Sequence, residues 1–232
     1  MRWPFTRYGT GTLLACTLVC LGLGAALAAW PGGAWWLAPL PFWLFFLNFF
    51  RDPERRAAGD ELDLVSPADG LLADIVQVTD PALGVPCTRI GIFLSVLDVH
   101  VNRSPCTAQV TQVLRRDGAC FDARDPRASE QNRAATLVLA RPDGRRLAVR
   151  QITGLIARRI VCPVAPGRQL GRGERYGMIR FGSRTELVVP GTDLEALTAR
   201  VGDTVKGGET LRARLRPAAA APGPSRARAA AG

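Results

Sequence analysis

The chain has 232 residues, 47% of them hydrophobic, and a net charge of +10 carried almost wholly by arginine, so it can bury one real core and shows a basic surface suited to anionic lipid or nucleic acid. Its one histidine, His100, excludes a histidine-rich metal site, and its one lysine, Lys206, in a glycine-rich turn, is a poor Schiff-base lysine for pyridoxal phosphate. The six cysteines (Cys16, Cys20, Cys87, Cys106, Cys120 and Cys162) have neither zinc nor disulfide-framework spacing, and no interleaving of basic and aromatic residues points to nucleic acid.

Two uncharged runs open the chain, residues 11–30 and 34–50. As a helix the first covers roughly 30 Å, a full hydrocarbon core. The second, interrupted by Pro39 and Pro41, is expected to span with a kink or to re-enter. Pro31-Gly32-Gly33 is a tight turn between them, flanked by Trp30, Trp35 and Trp36 as interfacial anchors. Arg2 and Arg7 precede the pair, and Arg51, Arg55 and Arg56 follow it. With no basic residue in the turn, the positive-inside bias places both ends in the cytoplasm. A cleaved signal peptide would fit the first run alone, but the second run directly after it favours a retained hairpin. Residues 1–56 are therefore expected to form a two-helix membrane hairpin with a basic flank. It would hold the rest at the cytoplasmic face of the cell membrane.

Past Arg56, short β-branched stretches alternate with Gly, Pro and Asp. Residues 71–78, 89–96, 108–114, 135–140, 146–152 and 186–189 read as strands. No long helical period follows residue 60, so residues 57–216 are expected to be mainly β. A Gly-x-x-apolar-x-x-Gly-Glu frame occurs twice, at 167–174 and 202–209, and resembles the turns of a barrel-sandwich fold. Ser66-Pro67-Ala68-Asp69-Gly70 looks like another such turn. Residues 217–232 are low in complexity and expected to be disordered.

His100 is the only imidazole available for proton transfer near neutral pH. Asp69 and Asp98 compete to orient it, and Asp98, two residues away, would share its face on a strand. Asp69, His100 and Ser183 supply the parts of a serine triad. However, Phe181 and Thr185 stand where a G-x-S-x-G elbow needs glycine, so an ordinary hydrolase is a weak reading. A membrane-anchored serine hydrolase and a non-enzymatic barrel-sandwich adaptor are the alternatives.

Five ordered stretches then carry a resemblance. They are Phe49-Phe50-Arg51-Asp52-Pro53, residues 66–70, Asp98-Val99-His100-Val101-Asn102, residues 151–161 beginning Gln151-Ile152-Thr153-Gly154, and Gly177-Met178-Ile179-Arg180-Phe181-Gly182-Ser183-Arg184. From about residue 10 to 215 the chain resembles the short bacterial and archaeal phosphatidylserine decarboxylases. Residues 129–133 depart from the family's usual run.

The resemblance implies autocatalytic cleavage between Gly182 and Ser183. The products would be a β chain, 1–182, and an α chain, 183–232, headed by a pyruvoyl group made from Ser183. This heterodimer would decarboxylate phosphatidylserine to phosphatidylethanolamine through a Schiff base, with no metal and no pyridoxal phosphate, and a higher oligomer is allowed. The resemblance also implies His100 as base and Asp69 as its orienting acceptor. Arg103, Arg158 or Arg159 would hold the lipid phosphate.

Overall fold

The computed structural model describes residues 4–31, 33–155, 159–180 and 183–217. Gly182, Arg158 and the tail beyond Pro217 lie outside them. The helices are α1 (Thr10–Ala28) and α2 (Leu40–Phe49), with a 3-10 turn at Trp35–Leu37 between them. The strands that follow are β1 (Asp63–Val65), β2 (Gly70–Asp80), β3 (Val85–Leu94), β4 (Val101–Arg103) and β5 (Ala108–Arg116). After a single helical turn, α3 (Ala128–Gln131), come β6 (Ala134–Ala140), β7 (Arg146–Ile152), β8 (Arg159–Val161), β9 (Gln169–Leu170) and β10 (Arg175–Arg180). The chain closes with β11 (Ser183–Pro190), β12 (Leu194–Leu197), β13 (Thr204–Val205) and β14 (Thr210–Leu215).

The fold is mainly β, as expected, and all six expected strands form. One sheet has eight strands in the order β13-β2-β3-β11-β7-β6-β5-β9. Two three-stranded sheets, β1-β14-β12 and β4-β10-β8, accompany it. All pairings between these strands are antiparallel. The repeated glycine frame performs one task twice. Gly167 and Gly173 in the first copy, and Gly202 and Gly208 in the second, have φ between 77° and 94°, which side chains with a Cβ avoid. Each turn lays a two-residue strand, β9 or β13, on the edge of the large sheet, and Leu170 and Val205 enter the core there.

β11 lies between β3 and β7, so both its edges are hydrogen-bonded, and its residues are buried on both faces. Leu187 and Val189 point into the main core, and Ser183 and Thr185 share their parity. The opposite parity carries a buried ionic cluster. Arg184 Nε donates to Glu186 Oε1 at 2.8 Å, and Arg150 Nη1 donates to Glu186 Oε2 at 3.0 Å. Ser129 Oγ, from α3, donates to Glu186 Oε1 at 2.6 Å. The outer arms reach Asp74 and Asp80, each at 2.7 Å. Burial pushes the Glu186 carboxyl upward, but Arg184, Arg150 and Arg89 outweigh it and hold it below its ordinary value. Glu186→Ala removes the buried carboxylate shared by Arg184, Arg150 and Arg89, leaving Asp74 and Asp80 to offset them only in part, and is expected to cost about 3 kcal/mol of stability, read by denaturant unfolding. Glu186→Gln, which keeps the shape, separates charge from packing.

α1 has 19 residues, about 28 Å at 1.5 Å per residue. Among the described residues it is the one helix long and apolar enough to cross a membrane. Its side chains Leu14, Leu18 and Val19 are exposed. α2 has ten residues, which cover only about half that length. The two prolines account for this. Pro39 is the N-cap and Pro41 lies in the first turn, positions where a missing N–H costs nothing. They start a short helix rather than kink a long one. Trp43 Nε1 on α2 donates to Thr17 Oγ1 on α1 at 3.1 Å.

Candidate active site

Four strand ends converge around Ser183. Ser183 opens β11 and pairs with Leu94, the last residue of β3. The chain leaves Leu94 through a short loop that leads to His100 and β4. β4 pairs antiparallel with β10, with Val101 opposite Met178, and Ile179 N–H donates to the His100 carbonyl at 3.3 Å. His100 therefore lies where β10 ends and the chain runs on to residue 183. Both Ser183 and His100 are fully buried. Among the described residues the Ser183 hydroxyl has no hydrogen-bond partner. A buried, unsatisfied hydroxyl costs stability, so its retention asks for a chemical reason.

His100 Nδ1 is 2.9 Å from the Asp98 carbonyl oxygen. A carbonyl only accepts, so Nδ1 carries the proton and the Nε2 lone pair is the basic one. Burial lowers the imidazole pKa to about 4, against a smaller upward pull from Asp98. At neutral pH the ring is uncharged and can accept a proton. The Asp98 carboxylate in turn accepts the Ser95 N–H at 2.8 Å, which fixes the loop.

Asp69 is placed differently. Among the described residues its carboxylate accepts from Arg55 Nη2 at 2.9 Å and from the Gly207 N–H at 2.7 Å, not from the imidazole. Burial raises its pKa, opposed by Arg55 and that N–H. A cleft of about 460 Å³ opens between Asp69, Arg55, Lys206, Asp98, Val99 and Arg51. Lys206 is exposed at its rim.

The candidate arginines separate. Arg103 is buried, and it donates to Asp52 Oδ1 at 2.9 Å, the Pro53 carbonyl at 2.8 Å and the Gly173 carbonyl at 3.2 Å. Its guanidinium is occupied in fixing the segment after α2, which Arg175 also grips through Asp52. Arg159, exposed, opens β8 opposite Arg180.

Comparison with known proteins decides the family. The sequence model of the family described as phosphatidylserine decarboxylase matches residues 42–213. A Rhodopirellula baltica phosphatidylserine decarboxylase proenzyme is 43% identical over 216 residues, covering 91% of this chain and 88% of that one. A Trichlorobacter lovleyi protein of the same name is 41% identical, over 92% and 94% of the two chains. A third, from Gluconacetobacter diazotrophicus, is 46% identical over 84% and 90%. The chain belongs to the phosphatidylserine decarboxylase family. As a member it is a decarboxylase.

Sequence reasoning gave three further residues no role. Asn102 Nδ2 donates to Thr185 Oγ1 at 2.9 Å, and Gln151 Nε2 donates to Asn102 Oδ1 at 2.8 Å. All three are fully buried. Asn102 is two residues from His100, and Thr185 is two from Ser183, so the trio ties the two reactive strands together. Strand parity could have found Gln151 and Thr185, which share the inward register of Val149 and Leu187, whereas β4 is too short to reveal Asn102.

Proposed function

We propose that the protein decarboxylates phosphatidylserine at a membrane surface after cutting its own chain between Gly182 and Ser183. The observation that carries this reading is the buried Ser183 hydroxyl at the start of β11, unpartnered among the described residues, with the buried His100 at the end of β10. The relatives' names as proenzymes support processing.

The chain's own residues supply each step. Neutral His100 accepts the Ser183 hydroxyl proton at Nε2. The oxygen attacks the Gly182 carbonyl carbon, the Gly182–Ser183 amide bond breaks, and an ester forms with a free Ser183 amine. Loss of the Ser183 Cα proton then expels the Gly182 carboxylate and leaves dehydroalanine. Water replaces its nitrogen, which departs as ammonia, and a pyruvoyl group heads residues 183–232. The buried position fits that group, since among the described residues the Ser183 hydroxyl has no hydrogen bond to lose when a carbonyl takes its place. When formed, the group supplies the electron sink for decarboxylation that pyridoxal phosphate supplies elsewhere.

β11 keeps the group in place after cleavage through its pairing with β3 and β7 and through the Glu186 cluster. His100 is the proposed proton donor to the substrate's α-carbon, returning from Nε2 a proton that it first accepts from the substrate's ammonium group. Asp98 now competes better than Asp69 to orient it, and Asp69 is assigned to hold Arg55 at the cleft. Arg159 and Arg158 remain the proposed phosphate ligands. α1, with α2 beside it, is proposed as a membrane hairpin within residues 1–56 with residues 57–216 on the cytoplasmic side, a reading the arginine flanks support.

The direct test is release of labelled CO2 from carboxyl-labelled phosphatidylserine in vesicles, with the cut followed on the same samples. Carboxyl release without any cut would defeat the reading. The His100 environment adds a pH signature. Self-processing is expected to stay level from about pH 8 down to about pH 5 and to fall only towards pH 4, because the base must be neutral. A base with an unshifted imidazole pKa would instead lose rate below about pH 6.5.

A further inference from the structure

His100 has a neighbour that the cleavage chemistry does not call on. The Phe49 ring lies 4.4 Å from the imidazole, centroid to centroid, at an interplanar angle of 37°. Phe49 is the last residue of α2 and is fully buried. It ends an aromatic series along that helix, with Phe45 at 6.2 Å and Phe50 edge-on at 5.1 Å. Phe50 is itself locked. A Cβ on Gly9 would stand only 2.1 Å from the Phe50 ring, and the Phe50 carbonyl accepts the Thr6 N–H at 2.9 Å. Phe49 and Phe50 pack in one cluster with Tyr8, Val99, Val101 and Met178. The start of α1, the end of α2 and the strand that carries His100 are thus one packed unit. The same α2 turns Phe42 and Leu44 outward.

We propose that Phe49 is a positioning residue for His100: its ring sets the plane of the imidazole and seals it from water, so the seating of α2 governs the state of the base. This rests on the reading of His100 as the base. Removing the ring opens a gap beside a polar group, where water can enter and solvate the charged imidazolium. The charged groups facing the ring are Asp98 on its own loop and Arg51 on the segment after α2, which donates to the Leu97 carbonyl at 2.7 Å. From β10 the nearest charge is Arg180, held by Thr12 and by the Tyr8 carbonyl. α2 itself brings no titratable group to His100. Burial is the largest influence on the imidazole, and the Phe49 ring packs against it at a tilt.

Because the chain has one histidine, histidine-selective NMR reads His100 alone. The full chain carrying Ser183→Ala is titrated in detergent micelles with Phe49 intact, with Phe49→Ala and with Phe45→Ala. Phe49→Ala is expected to raise the His100 midpoint by about one pH unit or more, a tenfold change in proton affinity, while Phe45→Ala leaves it in place. With Ser183 restored, a midpoint raised by one unit to about 5 is expected to make Phe49→Ala cut itself about fourfold more slowly at about pH 4.5 than at pH 8, where the parent loses only about a quarter of its rate. A folded Phe49→Ala chain with an unmoved midpoint overturns the proposal, and so does a rate loss uniform across pH. Should Phe49→Ala fail to fold, Phe49→Leu carries the same test, with a shift of the same sign expected and no shift overturning it. A His100→Ala chain that cuts itself at the parent rate would remove the base reading alone. The NMR midpoint would then still decide whether Phe49 shields the ring.

Discussion

Ser183→Ala is expected to yield a single uncut chain of 232 residues with no decarboxylation above background. The loss should be complete rather than graded, because the hydroxyl is both the attacking group and the source of the carbonyl. The substitution is also gentle. It removes one oxygen from a buried position where, among the described residues, that oxygen has no partner. Stability should therefore hold or rise slightly, since an unsatisfied buried hydroxyl is a cost of about 1–3 kcal/mol. Unfolding curves on parent and variant check this. A gel and an assay of CO2 release read the functional loss.

The parts legible in the sequence were those written in local chemistry. Strands β2, β3, β5, β6, β7 and β11 show in short, β-branched stretches between Gly, Pro and Asp, and both glycine frames form the turns that their spacing implied. The short strands β4, β8, β9, β10 and β13 did not stand out, because two to six residues carry too little pattern. α2 came out shorter than its apolar run, since Pro39 and Pro41 begin the helix. His100 and Ser183 were found by scarcity and by resemblance. The partner of His100 was harder. Asp69 matches a motif, yet a salt bridge from Arg55 and the N–H of Gly207, distant along the chain, hold its carboxylate. Phe49 was invisible as a site residue because an aromatic at the end of an apolar helix looks like ordinary membrane or core packing. Only the tertiary fold brings it onto the imidazole.

His100→Ala is expected to slow self-cleavage by about 10²–10⁴-fold, the usual worth of a positioned general base. The effect should be large because the site holds a neutral imidazole, already desolvated and in the correct tautomer. The variant should accumulate full-length chain that converts slowly on standing, unlike Ser183→Ala, which should never convert. Asp98→Ala is a milder comparison. The bond to His100 comes from the Asp98 backbone carbonyl, which the substitution keeps, while the carboxylate's grip on Ser95 is lost. Pulse–chase labelling of the precursor gives the three rates directly. If His100→Ala cut itself at the parent rate, the proton acceptor would have to be sought elsewhere.

The central claim is that Ser183 is consumed to make the reactive group. Intact mass spectrometry of the purified wild-type protein tests it in one measurement. The account predicts two pieces, residues 1–182 and a C-terminal piece of 50 residues. The smaller should be lighter by one ammonia than the peptide beginning with serine. A wild-type protein that keeps its full-length mass and still decarboxylates phosphatidylserine would contradict the account.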